Sequence, residues 1–579
     1  MLRLKVSSRA EGRTYVSVGR HRAWPWALAL VALVVFMAPM VLTNGSFSSD
    51  WSIHLWIAWN QYLMLADVGH PSYFLQTDHA AFFPWFSFYG GTLYSVVAGL
   101  AGLMGGRVTG AYIAVHAMAV AAALGGWAWL AHNLGVRGWR SHLPGLVFVT
   151  SAYYVTNFYG RGAFPEVVAT SMLPLVAAST VHLVRRGLTP LPSVTFVVSV
   201  AILTGSHSIT LVWGSTFLLS LIFAAAVAIP RGRWPSRRRL ARVAGLGAVG
   251  VGLNAWFLLP LLAFNSRVVI GVPPAELMQT EFTEVAFLFD VLRETPQLPE
   301  VVAVINAQVP VLALGWGLVA IVVGWRRLDG TWQRLAIMAA ALLYPVLLLV
   351  VFEQAILDLP KIWGYIQFPY RLLTYVGLFV ALLVLVGLKA TQSQGPRARK
   401  ALTAVLVATT VVSAGLAIRQ AWEVPSPNGP RARIFESPDR PPPGWYVAYD
   451  YADISAPVVV PTLSRPLVIS TAGRRQDRYA VFYPTRRGGT VATNVAAGEY
   501  LVDVDGADPV GRTPEGFMVV RVAKPEDGSA RVTFAPKSSA LTRAGLALTA
   551  LSLLTWLVVT TLLVRRSSRR PRRNATLDP

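Results

Sequence analysis

The chain has 579 residues, 54% of them hydrophobic and 14% charged, with a formal net charge of +23 and no cysteine. Soluble domains carry about 25% charged residues, so this composition, with a mean hydropathy of +0.50, excludes an ordinary soluble domain and indicates many membrane spans. The basic surplus lies in short Arg clusters between apolar runs, which is the pattern of cytoplasmic loops and not of a nucleic-acid surface, while the lack of cysteine removes disulfides, thiolate catalysis and Cys-ligated metals.

Residues 1–23 are polar and basic and precede an apolar run at Trp24–Leu42. That places the N-terminus in the cytoplasm, on an uncleaved anchor. Residues 44–108 follow as a first external loop. Within it Phe88–Leu103 is apolar enough to cross. Counting it as a span would carry Arg137, Arg140, Arg185-Arg186, Arg231–Arg242, Arg326-Arg327 and Arg397–Lys400 outside. Laying it in the interface keeps them all inside, and this is the arrangement charge favours.

Further spans are expected near 109–131, 143–158, 166–184, 192–207, 210–229, 243–263, 304–325, 335–352, 370–388, 401–420 and 541–564. With the first they make about twelve. The basic tail 565–579 then returns to the cytoplasm. Arg in place of Lys, with abundant Ala, Val and Gly, suggests the plasma membrane of a high-GC bacterium. Between the last two spans, residues 421–539 differ in composition. A Pro/Gly-rich opening is followed by short alternating runs at 446–449, 479–483, 500–504, 517–522 and 531–534, with turn signals at Gly488-Gly489 and Asp505-Gly506. That punctuation predicts a small β-sandwich, extracytoplasmic by parity.

This topology collects Asp50, His54, Asp67, Asp78, His79, Arg161, Glu166, His207, Glu300, Lys361, Gln367 and Arg371 on the outer face. Ionisable groups at span ends are costly and point to function. Asp50 and His54 lie at i and i+4, so one helical face presents both. The carboxylate could serve as general base, with the imidazole orienting it or contacting phosphate. The pair could also hold a divalent cation, or Asp50 could simply open a helix while His54 snorkels to water. Phe82–Tyr89, with Trp85 and Tyr89, is either an interfacial aromatic belt or a surface for sugar rings and isoprenes. Arg161 could clamp a phosphate or pair with Glu166 to close a helix hairpin. His207 could be structural, and Arg371, just after Gln367, suits an anionic headgroup.

Taken together, Asp50, His54, Gly69-His70-Pro71, Phe82–Tyr89, Tyr159-Gly160-Arg161-Gly162-Ala163, Glu166, His207, Asn254–Pro260 and Gln367–Arg371 resemble the bacterial membrane proteins named for a pyruvoyl-tetrahydropterin-synthase-related domain. That group is similar to the GT-C superfamily of polyprenyl-phosphate-sugar-dependent glycosyltransferases, and the likeness covers residues 24–400. It implies a catalytic Asp in the first external loop, matched by Asp50, two interfacial helices there, and a second external acid, matched by Glu166. It also implies a polyprenyl-phosphate sugar donor and an envelope glycan, glycolipid or protein acceptor. The Trp expected before the Gly-rich turn has no equivalent around Tyr73–Gln76. The competing classes are a multi-span lipid or sugar transporter or flippase, and a scaffold that anchors an envelope-glycan-binding domain.

Overall fold

The computed structural model describes residues 24–42, 49–77, 79–228, 235–268, 288–289, 308–356, 358–360, 363, 366, 368–423, 455–471 and 475–569. The basic N-terminus, the strand expected at 446–449, the end of the tail, and Asp78, Glu300, Lys361 and Gln367 lie outside the described residues.

The helical part begins with α1 (Trp24–Leu42), α2 (Ser49–Val68), the single turn α3 (Trp85–Phe88), α4 (Gly91–Leu103) and α5 (Val108–Asn133). It continues through α6 (Leu143–Val149), α7 (Ala152–Val155), α8 (Phe164–Arg186), α9 (Pro190–Ser206), α10 (Ser208–Ala228), α11 (Arg237–Gly252) and α12 (Ala255–Phe264). The remainder comprises α13 (Val311–Gly324), α14 (Gly330–Val351), α15 (Leu373–Gln392), α16 (Pro396–Glu423) and, after the strands, α17 (Ala540–Arg569).

Six helices, or seven if the bent α11–α12 pair counts as one span, are long and apolar enough to cross a membrane among the described residues. The expectation of about twelve is met in part among the described residues: shorter apolar helices such as Pro190–Ser206 stand beside these, and two of the expected runs are broken. The run 143–158 divides at Thr150-Ser151, where both hydroxyls also bond back to the carbonyls of Leu146 and Phe148, each at 2.7 Å. A π-helical turn at Thr156–Gly160 follows. The run 243–263 bends by 76°. At the bend the Trp256 N–H, orphaned by the new helix start, donates to Thr549 Oγ1 of α17 at 2.9 Å. Helix α4, at 13 residues, is about 20 Å long and so falls short of the ~30 Å hydrocarbon core.

Helix α8 carries Glu166 in its first turn and Arg185-Arg186 in its last, ending at Gly187 with φ +85°. Both charges complement the helix dipole, and glycine is the residue that accepts that φ. Its middle packs closely on α5, where a side chain at Gly126 would come within 2.7 Å of the Leu175 amide. Helix α15 is apolar on every side and buried along nearly its whole length, as expected of a helix at the centre of a bundle.

Six strands follow: β1 (Tyr479–Pro484), β2 (Gly489–Ala492), β3 (Val502–Asp505), β4 (Asp508–Arg512), β5 (Met518–Val522) and β6 (Ser529–Pro536). They form two antiparallel sheets, ordered β1-β6-β3 and β2-β5-β4. Strands β2 and β4 went unforeseen: Gly489, read above as a turn, opens β2, and β4 contains Pro509 and Gly511 with a register shift between them. The sheets dock on the loop after α2 by main-chain pairing. Ala81 N–H donates to Asn494 O at 2.8 Å, and Ala496 N–H donates to Ala81 O at 2.9 Å. The Phe82 ring then packs edge-on to Tyr479 at 5.8 Å.

Candidate functional site

The first turn of α2, the Gly160-Arg161-Gly162 turn, the start of α8 and the start of α15 converge on one point. Arg161 Nη1 reaches Glu166 Oε2 at 3.2 Å, Arg161 Nη2 lies 3.9 Å from Asp50 Oδ2, and Arg371 Nε lies 3.8 Å from Glu166 Oε2. Among the described residues the buried Asp, Glu, Lys and Arg side chains are Arg161, Glu166 and Arg371 here and Arg475 in the β region. Burying charge is expensive unless it is paired. Its concentration at one place therefore marks the site.

The two carboxylates differ. Glu166 is 3% exposed and accepts from Tyr153 Oη at 3.2 Å and Asn157 Nδ2 at 2.9 Å, besides pairing with both arginines. It holds the two guanidiniums in place. Asp50 keeps 38% of its side-chain surface and pairs with Arg161 at the longer distance. Its side chain therefore remains reachable from outside the cluster. Burial raises the Asp50 pKa above its usual value, against the opposing pull of Arg161 and Arg371, so the carboxylate is a stronger base than a solvated one.

Arg161 is locked by further contacts. It donates to Asn157 Oδ1 at 3.0 Å and Tyr153 Oη at 3.2 Å, with its guanidinium 5.9 Å from the Tyr370 ring. The turn holding it is specified by glycine: Gly162 has φ +70°, and a Cβ there would stand 2.6 Å from Trp51 Cβ, one residue from Asp50. Gly162→Ala is expected to destabilise the protein by at least about 1–2 kcal/mol from the left-handed backbone alone, and to separate Arg161 from Asp50. Thermal unfolding in detergent measures the first effect.

The imidazoles form a second group. His54 is buried, which corrects the expectation that it snorkels, and its Nδ1 shares a 2.6 Å hydrogen bond with Tyr94 Oη of α4. Burial lowers its pKa to about 3, so it is neutral at pH 7. The Tyr89 ring stacks on His54 at 6.5 Å and meets His207 edge-on at 5.6 Å, with Trp85 at 5.4 Å behind it. His207 Nδ1 receives the Thr210 N–H at 3.1 Å, so in the neutral ring the proton sits on Nε2 and that edge is a donor. Asn254 ties this side together, accepting from Thr92 Oγ1 at 2.5 Å and donating to Ala201 O at 2.7 Å.

The structure thus gathers Asp50, Arg161, Glu166 and Arg371 by direct contact, and His54, Trp85, Tyr89 and His207 as an aromatic-imidazole wall. Asp67 is used elsewhere, accepting the Arg475 N–H at 2.8 Å, and His79 is exposed. Tyr94, Tyr153, Asn157, Thr210 and Tyr370 were not anticipated, and the π-helical turn that aims Asn157 gives no compositional signal. Among the described residues no three His, Asp or Glu side chains are grouped to hold a metal ion, and both carboxylates of the site face guanidinium groups.

No family model and no curated protein matches the chain. Among solved structures it is similar to the arabinofuranosyltransferase AftD from Mycobacteria, determined by cryo-EM, with 17% identity and a TM-score of 0.43. The likeness covers 71% of this chain and 27% of that one, so the chain spans about a quarter of that protein's length. At that score the two folds are not established as the same.

Proposed function

We propose that the protein is a membrane glycosyltransferase that moves a sugar from a polyprenyl-phosphate donor to an envelope glycan, glycolipid or protein on the extracytoplasmic side. The observation that carries this reading is a reachable, basic carboxylate beside a buried guanidinium pair held by a shared glutamate. Such a site accepts a proton at one place and an anion at the other.

The reading takes its orientation from α8, which has Glu166 at one end and Arg185-Arg186 at the other. With the Arg pair taken as cytoplasmic, the site and the β region are assigned to the outer side. The full count of about twelve crossings, with both termini cytoplasmic, belongs to the same reading. In the proposed step the acceptor hydroxyl attacks the anomeric carbon as the C1–O bond to the lipid phosphate breaks. Asp50 takes the hydroxyl proton. Arg161, Arg371 and the His207 Nε2–H meet the charge that develops on the departing phosphate. Displacement on one face inverts the anomeric centre. Glu166 and His54 set the arginines and the wall, Trp85 and Tyr89 offer ring faces to sugar or isoprene, and Gln367, four residues before Arg371 in the sequence, is assigned to the substrate. The β region positions the acceptor.

Mass spectrometry of lipid-linked sugars and envelope glycans after deletion of the gene tests the reading. One polyprenyl-phosphate sugar is expected to accumulate while one glycan loses the same sugar. Unchanged profiles of both would remove the proposal.

A further inference from the structure

A cavity of about 190 Å³ opens where the β region meets the turn after α12, distinct from the charged cluster. Arg267, Gly498, Glu499 and Arg512 are among the residues that line it. It exceeds the roughly 150 Å³ cavity that admits benzene. One six-membered ring fits.

The polar groups around it are held in place. The Arg267 guanidinium lies 5.4 Å from the Tyr500 ring centre and 5.8 Å from that of Phe264, and the two rings are 4.8 Å apart. Stacking of this kind fixes a guanidinium while leaving its N–H edge for a ligand. Around the same cavity Arg512 Nε donates to Ala456 O at 3.1 Å, and Lys537 Nζ donates to Glu499 O at 3.0 Å, pinning the main chain there. Fixed donors lining the same cavity as an exposed Glu499 suit adjacent hydroxyls, which accept from a guanidinium and donate to a carboxylate. A purely anionic ligand would meet Glu499 as well as the arginines.

The cavity also lies on a mechanical path to the catalytic cluster. Its wall includes Ala496, whose amide is bonded to Ala81. From Ala81 the chain runs through Phe82, which holds φ +52° fully buried, into Trp85 and Tyr89. A non-glycine residue keeps that φ only where its surroundings impose it. We propose that this cavity is a carbohydrate subsite for one pyranose residue of the acceptor glycan, and that filling it secures the loop presenting Trp85 and Tyr89. The inference deepens the transfer reading, on which it rests for the identification of the occupant as acceptor.

Saturation-transfer NMR on the full chain in nanodiscs tests it, with hexasaccharides of glucose, mannose and galactose as probes and inorganic phosphate as the anionic control. At least one neutral hexasaccharide should bind, and Arg267→Ala and Glu499→Gln should each weaken it by about tenfold, the loss of one charge-assisted hydrogen bond. Both side chains are exposed, so the fold should survive, and unchanged thermal unfolding checks that. The proposal is overturned if no hexasaccharide binds the wild type, if both variants bind it as well as wild type, or if phosphate alone binds. If a hexasaccharide binds and both variants weaken it, while the wild type transfers no sugar from any lipid donor, the subsite stands and the transfer reading falls.

Discussion

Asp50→Asn is expected to lower the rate of sugar transfer by about 10²–10⁴-fold, the contribution of a positioned general base. The amide keeps the size and much of the hydrogen bonding of the carboxylate, so binding of the lipid donor should change little. The loss should fall on kcat. In the wild type the rate should rise with pH as Asp50 ionises, and burial raises that pKa. The acid limb of the pH profile should therefore lie above the ordinary carboxylate range. An Asp50→Asn protein with a wild-type rate, or a profile whose acid limb is unmoved by the substitution, would separate Asp50 from the proton transfer.

Glu166→Ala should be the most destabilising substitution in the site. Removing one partner of a buried ion pair costs about 3–5 kcal/mol, because the remaining charge stays buried without compensation. Here one carboxylate serves two guanidiniums, Arg161 at 3.2 Å and Arg371 at 3.8 Å. Its loss sets two cations facing each other with Tyr153 and Asn157 left as donors without their acceptor. Chemical or thermal unfolding in detergent reads the effect, and Glu166→Gln, which keeps the acceptor oxygen, should lie between Ala and wild type. An added anion that mimics the lipid phosphate should restore part of the stability of the Ala variant, since it fills the place of the missing charge. A Glu166→Ala protein as stable as wild type would mean that the two arginines are not held by this residue.

Much of the site could be read along the chain because its members stand where apolar runs stop. Asp50 and His54 are four residues apart on one helix, Arg161 sits between two glycines, and Glu166 follows Pro165 at a helix start. The Arg clusters were the reason to expect that Phe88–Leu103 does not cross, and the helix formed there, α4, has 13 residues. Hydropathy, however, measures composition and not continuity. It could not show that one run divides at Thr150-Ser151 or that another bends by 76° near Asn254. Contacts between distant segments were equally hidden. His54 and Tyr94 are forty residues apart, and the Ala81–Asn494 and Ala81–Ala496 bonds involve only main-chain atoms, which any residue supplies. The tautomer of His207 depends on a single backbone N–H at Thr210, for which sequence has no marker.

The most direct measurement is the product formed by the reconstituted full chain from polyprenyl-phosphate sugars of known anomeric configuration, offered with neutral oligosaccharide acceptors. The account predicts a glycoside of inverted configuration, formed by wild type and lost in Asp50→Asn. A product of retained configuration, or equal turnover by the two proteins, would contradict it.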